Sequence, residues 1–329
     1  MEYGNVPGLD KPVSRIIHGT IALSNDTQEA DFALYDQLLE QGCNTFDTAH
    51  IYGGGNNERL FGKWARERGG LENVVILAKG SHHNQDRKRV TPWDITADLH
   101  DTLARMKVEC VDLYILHRDD PDFPVEPIVD TLNEHVKAGK IKAFGGSNWT
   151  HQRIKAANDY ARQNGLIPFA ISNPNYSLAV QEVEPWDGCV SISGPANAEA
   201  RSYYAAEGTK IFSWSSLASG FFSGRITRET LDPAADLSNV QRYLNETCRK
   251  SYCSEQNFQR LDRVIELAKE KGATVPQIAL AYIFSGELDA FALVASANFD
   301  EFLSNTKAFD LKLTAQERAW LDLETVSRA

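Results

Sequence analysis

Short apolar runs alternate along this chain with longer stretches in which apolar residues recur every three or four positions. Eight runs read as strands: "RIIHG" (15–19), "CNTFD" (43–47), "VVILAK" (74–79), "VDLYILH" (111–117), "IKAFGGS" (141–147), "PFAISN" (168–173), "KIFSWSS" (210–216) and "AFALVAS" (290–296). Their apolar residues are continuous, which predicts strands buried on both faces of a parallel sheet under helices. Between them, "QEADFALYDQLLEQG", "ITADLHDTLARMKV", "EPIVDTLNEHVKAGK" and "QRIKAANDYARQNG" have helical periodicity. Gly42, Gly139 and Gly165 follow three of these where a helix-ending glycine belongs.

Eight strand–helix units over roughly 300 residues predict an α/β protein, a (β/α)8 TIM barrel. A doubly wound sheet needs a G-x-G-x-x-G turn after an early strand, and "IIHGTIAL" offers none. The "GGGNN" cluster follows the second strand and lacks that spacing. No Pro/Ser-rich linker divides the chain, so residues 1–329 read as one domain. The least patterned region, 223–257, reads as an insertion after the seventh strand, a common origin of functional lids.

Composition narrows the partners. A formal net charge of −11 argues against nucleic-acid or anionic-membrane binding, which needs a basic face. No apolar stretch approaches a membrane span, and "MEYGNVPGLDKPVSR" has neither the basic start nor the apolar core of a signal peptide. The five cysteines are odd in number and lack CxxC spacing, which fits reduced thiols in a cytoplasmic protein. Oligomeric state is not legible.

In such a barrel reactive groups sit at the C-terminal ends of strands. The second strand ends in Asp47 with Tyr52 just beyond, the third in Lys79, and the fourth in His117. The fifth ends in Ser147 and Asn148, the sixth in Asn173, and the seventh carries Trp214. An acid, a phenol, an ammonium and an imidazole on one rim suit proton donation to a carbonyl. A lysine beside the phenol stabilises phenolate and lowers its pKa, a carboxylate holds the lysine charged, and a neutral imidazole positions the carbonyl oxygen. Taken alone, Asp47 reads more readily as a helix cap or loop anchor than as a catalytic acid, and the weight comes from four matching residues at four strand ends; for Trp214 barrel core is the lesser reading.

The segment "FDTAHIYGGGNNERLFGKW" resembles the signature of the aldo-keto reductases, in which D-T-A-x-x-Y-G carries the acid and the tyrosine. The likeness extends through "VILAKG", "DLYILHRDDP", "KIKAFGGSNW", "ISNPNYSL", "WSSLASGFFSGR" and "ASANFDEFLSNTKAFDLKLTAQERAWLD", nearly the whole chain. The resemblance implies a catalytic tetrad of Asp47, Tyr52, Lys79 and His117, with Tyr52 as general acid and no metal. It implies a nicotinamide cofactor, NADP(H) or NAD(H), held by Ser147, Asn148 and Asn173 at the carboxamide and by Trp214 on the ring. Ser215, Leu217, Gly224 and Arg225 would wrap the pyrophosphate, and Ser296, Asn298, Glu301 and Asn305 would meet the adenosine end. One departure stands out. The last loop, "VASANFDEFLSN", has Ala295, Ala297 and Glu301 where NADPH-preferring members place a basic residue. An acid near the ribose accepts from a free 2′-hydroxyl and repels a 2′-phosphate, which brings NAD(H) forward.

Other residues draw blander readings. His50, His82 and His83 lack the carboxylate or thiolate spacing of a metal site. His18 reads as a rim residue, structural or substrate-facing, and "RKR" (87–89) as a solvated loop. Among aromatic residues, Tyr176 and the loop after Lys79 lie where family substrates approach, whereas Trp93, Trp149 and Trp186 read as packing. The function expected is reduction of an aldehyde, ketone or sugar-type carbonyl. The alternatives are an NAD-linked dehydrogenase oxidising a sugar or secondary alcohol, and a non-catalytic cofactor-binding regulatory subunit.

Overall fold

A computed structural model describes residues 1–228 and 239–328. All eight runs are strands: β1 Ile16–Gly19, β2 Thr45–Asp47, β3 Val75–Gly80, β4 Val111–Leu116, β5 Ile141–Ser147, β6 Ile171–Asn173, β7 Lys210–Ser213 and β8 Ala290–Val294. They pair in parallel, each with the next, and β8 closes on β1 to complete the barrel. Helices α1 Gln28–Glu40, α2 Asn56–Trp64, α3 Pro92–Met106, α4 Glu126–Lys137, α5 His151–Gln163 and α6 Ala198–Glu207 follow the first six strands. After β7 come α7 Asn239–Tyr252, α8 Glu255–Lys271 and α9 Val275–Phe284; after β8 come α10 Phe299–Thr306 and α11 Ala315–Leu321. The predicted cap glycines Gly42, Gly139 and Gly165 all take positive φ.

The strands are continuous in apolar residues because their two faces enter two cores. Ile17, Val75, Leu77, Leu113, Ile115, Ala143, Ile171, Phe212 and Phe291 fill the barrel interior. Their neighbours Ile16, Phe46, Ile76, Ala78, Tyr114 and Phe144 face outward to the helices. A short antiparallel hairpin, Tyr3–Gly4 with Val13–Ser14, precedes β1. Val6 and Val13 join the interior cluster from it, closing the N-terminal end of the barrel.

The inward face continues past the core with period two. Beyond Leu77 it reaches Lys79, beyond Ile115 His117, beyond Ile171 Asn173, and beyond Phe212 Trp214. Strand alternation therefore turns the expected site residues toward the open end of the barrel. It turns His18 the other way. His18 packs edge-on against Tyr35 (5.6 Å between centroids) and beside Phe46 in the outer layer, so it is a core residue and not part of the rim.

The expected insertion is partly helical. Residues 229–238 of it lie outside the described residues, but α7 follows, burying Cys248, Ser251 and Tyr252. In the sequence Val240 and Leu244 stand in helical register with Cys248 and Ser251, a thin stripe that marks the helix among polar neighbours. No described helix is long and apolar enough to cross a membrane.

Candidate active site

The loop after β2 is shaped by Gly53, Gly54 and Gly55, which take φ of 54°, 61° and 87° in succession. Left-handed backbone at three consecutive positions is accessible only to glycine without strain. This turn begins at Tyr52 and delivers the chain into α2. Asn57 ties it to the loop after β1, donating to the carbonyls of Thr20 (2.7 Å) and Ile21 (3.1 Å). At the next strand end, a Cβ on Gly80 would collide with the Tyr114 hydroxyl, so only glycine fits beside Lys79.

Lys79 donates to the Asp47 carboxylate, and both side chains are almost fully buried. The Lys79 nitrogen stands 5.1 Å from the centroid of the Tyr52 ring. The ring of His117 meets that of Tyr52 edge-on at 5.9 Å. All four residues line one cleft of about 1040 Å³ at the C-terminal end of the barrel.

Burial sets the protonation states. It pulls the Lys79 ammonium down, but Asp47 and Tyr52 together outweigh it and hold Lys79 above the ordinary lysine value. Burial pushes the Asp47 carboxyl up, with Lys79 opposing it. The phenol of Tyr52 differs from the sequence-based expectation: burial pushes its pKa up and outweighs the opposing pull of Lys79, so the net shift is upward. Burial, reinforced by Lys79 and Arg118, drives His117 well below the ordinary histidine value. At neutral pH the cleft therefore presents a protonated phenol, an ion pair and a neutral imidazole. Such a set can give a proton to a carbonyl oxygen while an imidazole N–H holds that oxygen.

The other wall of the cleft comes from β5 to β8. Asn148, at φ 58°, accepts from the Trp214 indole (3.1 Å) and from the Val190 amide (3.1 Å), and it donates to the Ser147 hydroxyl (3.2 Å). The Ser147 hydroxyl in turn donates to the carbonyl of Asn173 (3.1 Å), and Asn173 donates to the carbonyl of Phe212. These bonds link the ends of β5, β6 and β7 and leave one edge of Trp214 in the cleft. Ser215, Ala218 and Ser219 are all left-handed without being glycine, a local strain of the kind that collects at binding turns.

Ser215, Leu217, Arg225, Ser296, Glu301 and Asn305 also line the cleft. The Asn305 side-chain carbonyl is buried there without a partner. Gly224 lines a neighbouring groove that shares Arg225, Glu301 and Asn305 with the cleft. Asn298 lines neither space among the described residues. It caps α10 by accepting from the Glu301 amide (2.9 Å). At about 1040 Å³ the cleft lies at the upper end of small-molecule and cofactor sites.

Some aromatic and basic residues sit elsewhere than the sequence suggested. Tyr176 is buried against Tyr282 and is not in the cleft lining. Trp186, read as packing, does line it, 5.6 Å from Trp214. Trp149 is core, Trp93 is solvent-exposed, and His82 and His83 line the cleft as the loop after Lys79 suggested. "RKR" is a loop with Arg87 and Lys88 solvent-exposed, as expected, and its cations are paired: Arg87 with Asp94 (2.6 Å), Lys88 with Asp120 (3.1 Å) and Arg89 with Asp98 (2.5 Å). Arg118, Cys248 and Arg249 line the cleft and were missed. Arg118 was detectable, as the residue after His117; for Cys248 and Arg249 the signal was the helical spacing of Val240, Leu244, Cys248 and Ser251, which marks a helix but not its place at the cleft. Among the described residues, no group of three histidine, cysteine or carboxylate side chains is arranged to hold a metal ion.

The Aldo/keto reductase family matches residues 15–323. An uncharacterized oxidoreductase, YrpG, of Bacillus subtilis (strain 168) is 24% identical, over 95% of this chain and 92% of its own. A probable voltage-gated potassium channel subunit beta of Oryza sativa subsp. japonica is 25% identical, over 94% and 92%. The solved glycerol dehydrogenase of Gluconobacter oxydans superposes with a TM-score of 0.76 at 22% identity, over 97% of this chain and 94% of that one. The chain belongs to the aldo/keto reductase family and is an NAD(P)H-dependent oxidoreductase.

Proposed function

We propose that this enzyme reduces an aldehyde or ketone, with Tyr52 donating the proton, and that the whole chain works as one domain. One observation carries the reading: a protonated phenol stands beside a buried Lys79–Asp47 pair and a neutral His117 in a single cleft. The nicotinamide, when bound, supplies the hydride. Ser147, Asn148 and Asn173 would hold its carboxamide and Trp214 would cover the ring. The turn around Ser215 and Leu217, with Gly224 and Arg225, would take the pyrophosphate. Ser296, Glu301, Asn305 and the α10 start capped by Asn298 would take the adenosine end. Tyr52 gives its proton to the substrate oxygen while Lys79 steadies the phenolate left behind. His117 orients the oxygen and need not change charge.

Glu301 lines the cleft where the adenosine ribose is assigned, and its charge favours an unphosphorylated ribose. NADH is therefore the proposed reductant. The upward shift of the Tyr52 phenol suits reduction better than oxidation, since oxidation needs Tyr52 as a base. The acid–lysine–phenol arrangement also supports chemistry over a purely cofactor-binding role.

Parallel fluorescence titrations with NADH and NADPH, followed by carbonyl-dependent consumption of the tighter-binding one, test the proposal. We expect tighter NADH binding, turnover of simple aldehydes, and loss of turnover in Tyr52→Phe with cofactor affinity within about twofold. A Tyr52→Phe enzyme retaining most of its kcat removes Tyr52 from the acid role. Cofactor binding without turnover of any carbonyl or alcohol moves the chain to the regulatory class.

A further inference from the structure

Among the described residues, the cleft holds a buried cation that has no acid to pair with. Arg118 is only 7% exposed, follows His117 directly, and lines the cleft with His82, His83 and Trp186. Its guanidinium donates to the carbonyl of His117 (3.0 Å), and its Nε is buried with no hydrogen-bond partner. No described carboxylate forms an ion pair with it. The acids that follow it in the chain are otherwise engaged: Asp119 holds Arg153 (2.9 Å) and Asp120 holds Lys88 (3.1 Å). The Arg118 backbone is itself pinned, its carbonyl accepting from the Trp149 indole (3.2 Å).

A buried guanidinium without a counter-charge is costly, and proteins tolerate one where a ligand supplies the anion. The acids nearest to it, Glu184 and Asp187, are exposed on the Trp186 loop and form no ion pair with it, so solvent screens their charge. Lys79 is neutralised by Asp47, and the nearby rings are neutral, His82 being held down to about 4 by burial and, among lesser causes, by Arg118. His82 meets His117 edge-on at 4.8 Å, and His117 meets Tyr52 at 5.9 Å, so Arg118 borders the place where a carbonyl would react.

We propose that Arg118 is a specificity-determining residue which binds an anionic group, carboxylate or phosphate, on the non-reacting part of a small carbonyl substrate. This rests on the carbonyl-reduction reading above. The planar fork suits either anion. Neutral aldehydes would leave the buried charge unpaired and react poorly by comparison.

The test uses matched pairs on the full-length enzyme with saturating NADH: succinic semialdehyde against butanal, and glyceraldehyde 3-phosphate against glyceraldehyde. We expect kcat/KM for the charged member of at least one pair to exceed that of its neutral counterpart by about 10-fold or more, the scale of a charge-assisted hydrogen-bonded pair. Which pair shows the preference tells carboxylate from phosphate. In Arg118→Met the preference should collapse through KM, and Arg118→Lys should restore part of it. Equal kcat/KM within both pairs, or an undiminished preference in Arg118→Met, overturns the proposal.

A binding arm separates this from the reduction reading. Butyrate, butyramide and inorganic phosphate are titrated against the enzyme–NADH complex by calorimetry, and NADH affinity reports that the Arg118→Met fold is intact. An anion bound by wild type and lost in Arg118→Met supports the site even if no carbonyl is turned over, in which case the reduction reading fails alone. An anion bound equally by both proteins sits at Tyr52 and His117 instead, and the assignment to Arg118 falls. No anion binding at all also overturns it.

Discussion

Replacing Asp47 by asparagine leaves the Lys79 ammonium buried without its carboxylate, and the size of the penalty can be bounded. Lys79 is 3% exposed in its side chain and Asp47 is 6%, so water screens neither. Breaking a buried pair by removing one partner costs about 3–5 kcal/mol. Lysine has an escape, which is to release its proton and stay folded as a neutral amine. Stripping an ordinary lysine with a pKa near 10.4 at pH 7 costs about 4.6 kcal/mol, so the loss cannot much exceed that. At about 1.5 °C per kcal/mol for a chain of this size, Tm should drop by roughly 4–7 °C.

The sign of the pH dependence identifies the mechanism. In the parent protein the folded-state pKa of Lys79 is raised, so its contribution is complete below the unfolded value and fades only as pH climbs through the folded one. In Asp47→Asn a neutral Lys79 makes the unfolded state bind one more proton. Stability of the variant relative to the parent should then rise with pH between 7 and 9, by up to about 1.4 kcal/mol per pH unit. Urea melts of Asp47→Asn, Lys79→Met and the double variant at pH 7, 8 and 9 measure this. The double variant should be more stable than Asp47→Asn. A pH-independent loss below about 1 kcal/mol, or additive single effects, would refute the account of the pair as one energetic unit.

His18 gives an acid-side counterpart. It is buried neutral, its pKa lowered to about 4 by burial, while the unfolded chain takes up a proton below about 6.5. Stability should therefore fall as pH drops from 6.5 to 4, by about 3 kcal/mol from this residue, and His18→Phe should flatten the denaturation profile over that window. A Glu301→Arg variant should raise the NADPH-to-NADH affinity ratio about 10-fold or more, read from parallel titrations; an unchanged ratio removes Glu301 from the ribose end. In Gly80→Ala the new methyl meets the Tyr114 hydroxyl and should cost about 1–3 kcal/mol in urea. Tyr114→Phe should recover part of that loss, and failure to recover any would place the strain elsewhere.

The barrel was legible in the sequence because each strand buries both faces. Continuous apolar runs such as "VDLYIL" follow from that, and eight of them leave few parallel architectures. The rim was legible for a related reason, since period-two alternation extends each inward face from the core to Lys79, His117 and Asn173. Alternation was also decisive for His18, whose parity matches Ile16 and not Ile17. Helix α7 went unseen although Val240, Leu244, Cys248 and Ser251 recur at helical spacing, because that single stripe is thin and lies among polar residues in the least apolar part of the chain.

What tertiary structure alone decided is how the charges are matched. Asp94, Asp98 and Asp120 take up the "RKR" cations and Asp119 takes up Arg153, so Arg118 is left without an acid among the described residues. Likewise the net effect on Tyr52 is a contest between burial and Lys79, and the spacing of residues along a chain measures neither. Local pattern dictates which way a side chain points. Pairing, desolvation and strain depend on what distant segments bring to the same few ångströms, and only the closed barrel sets those.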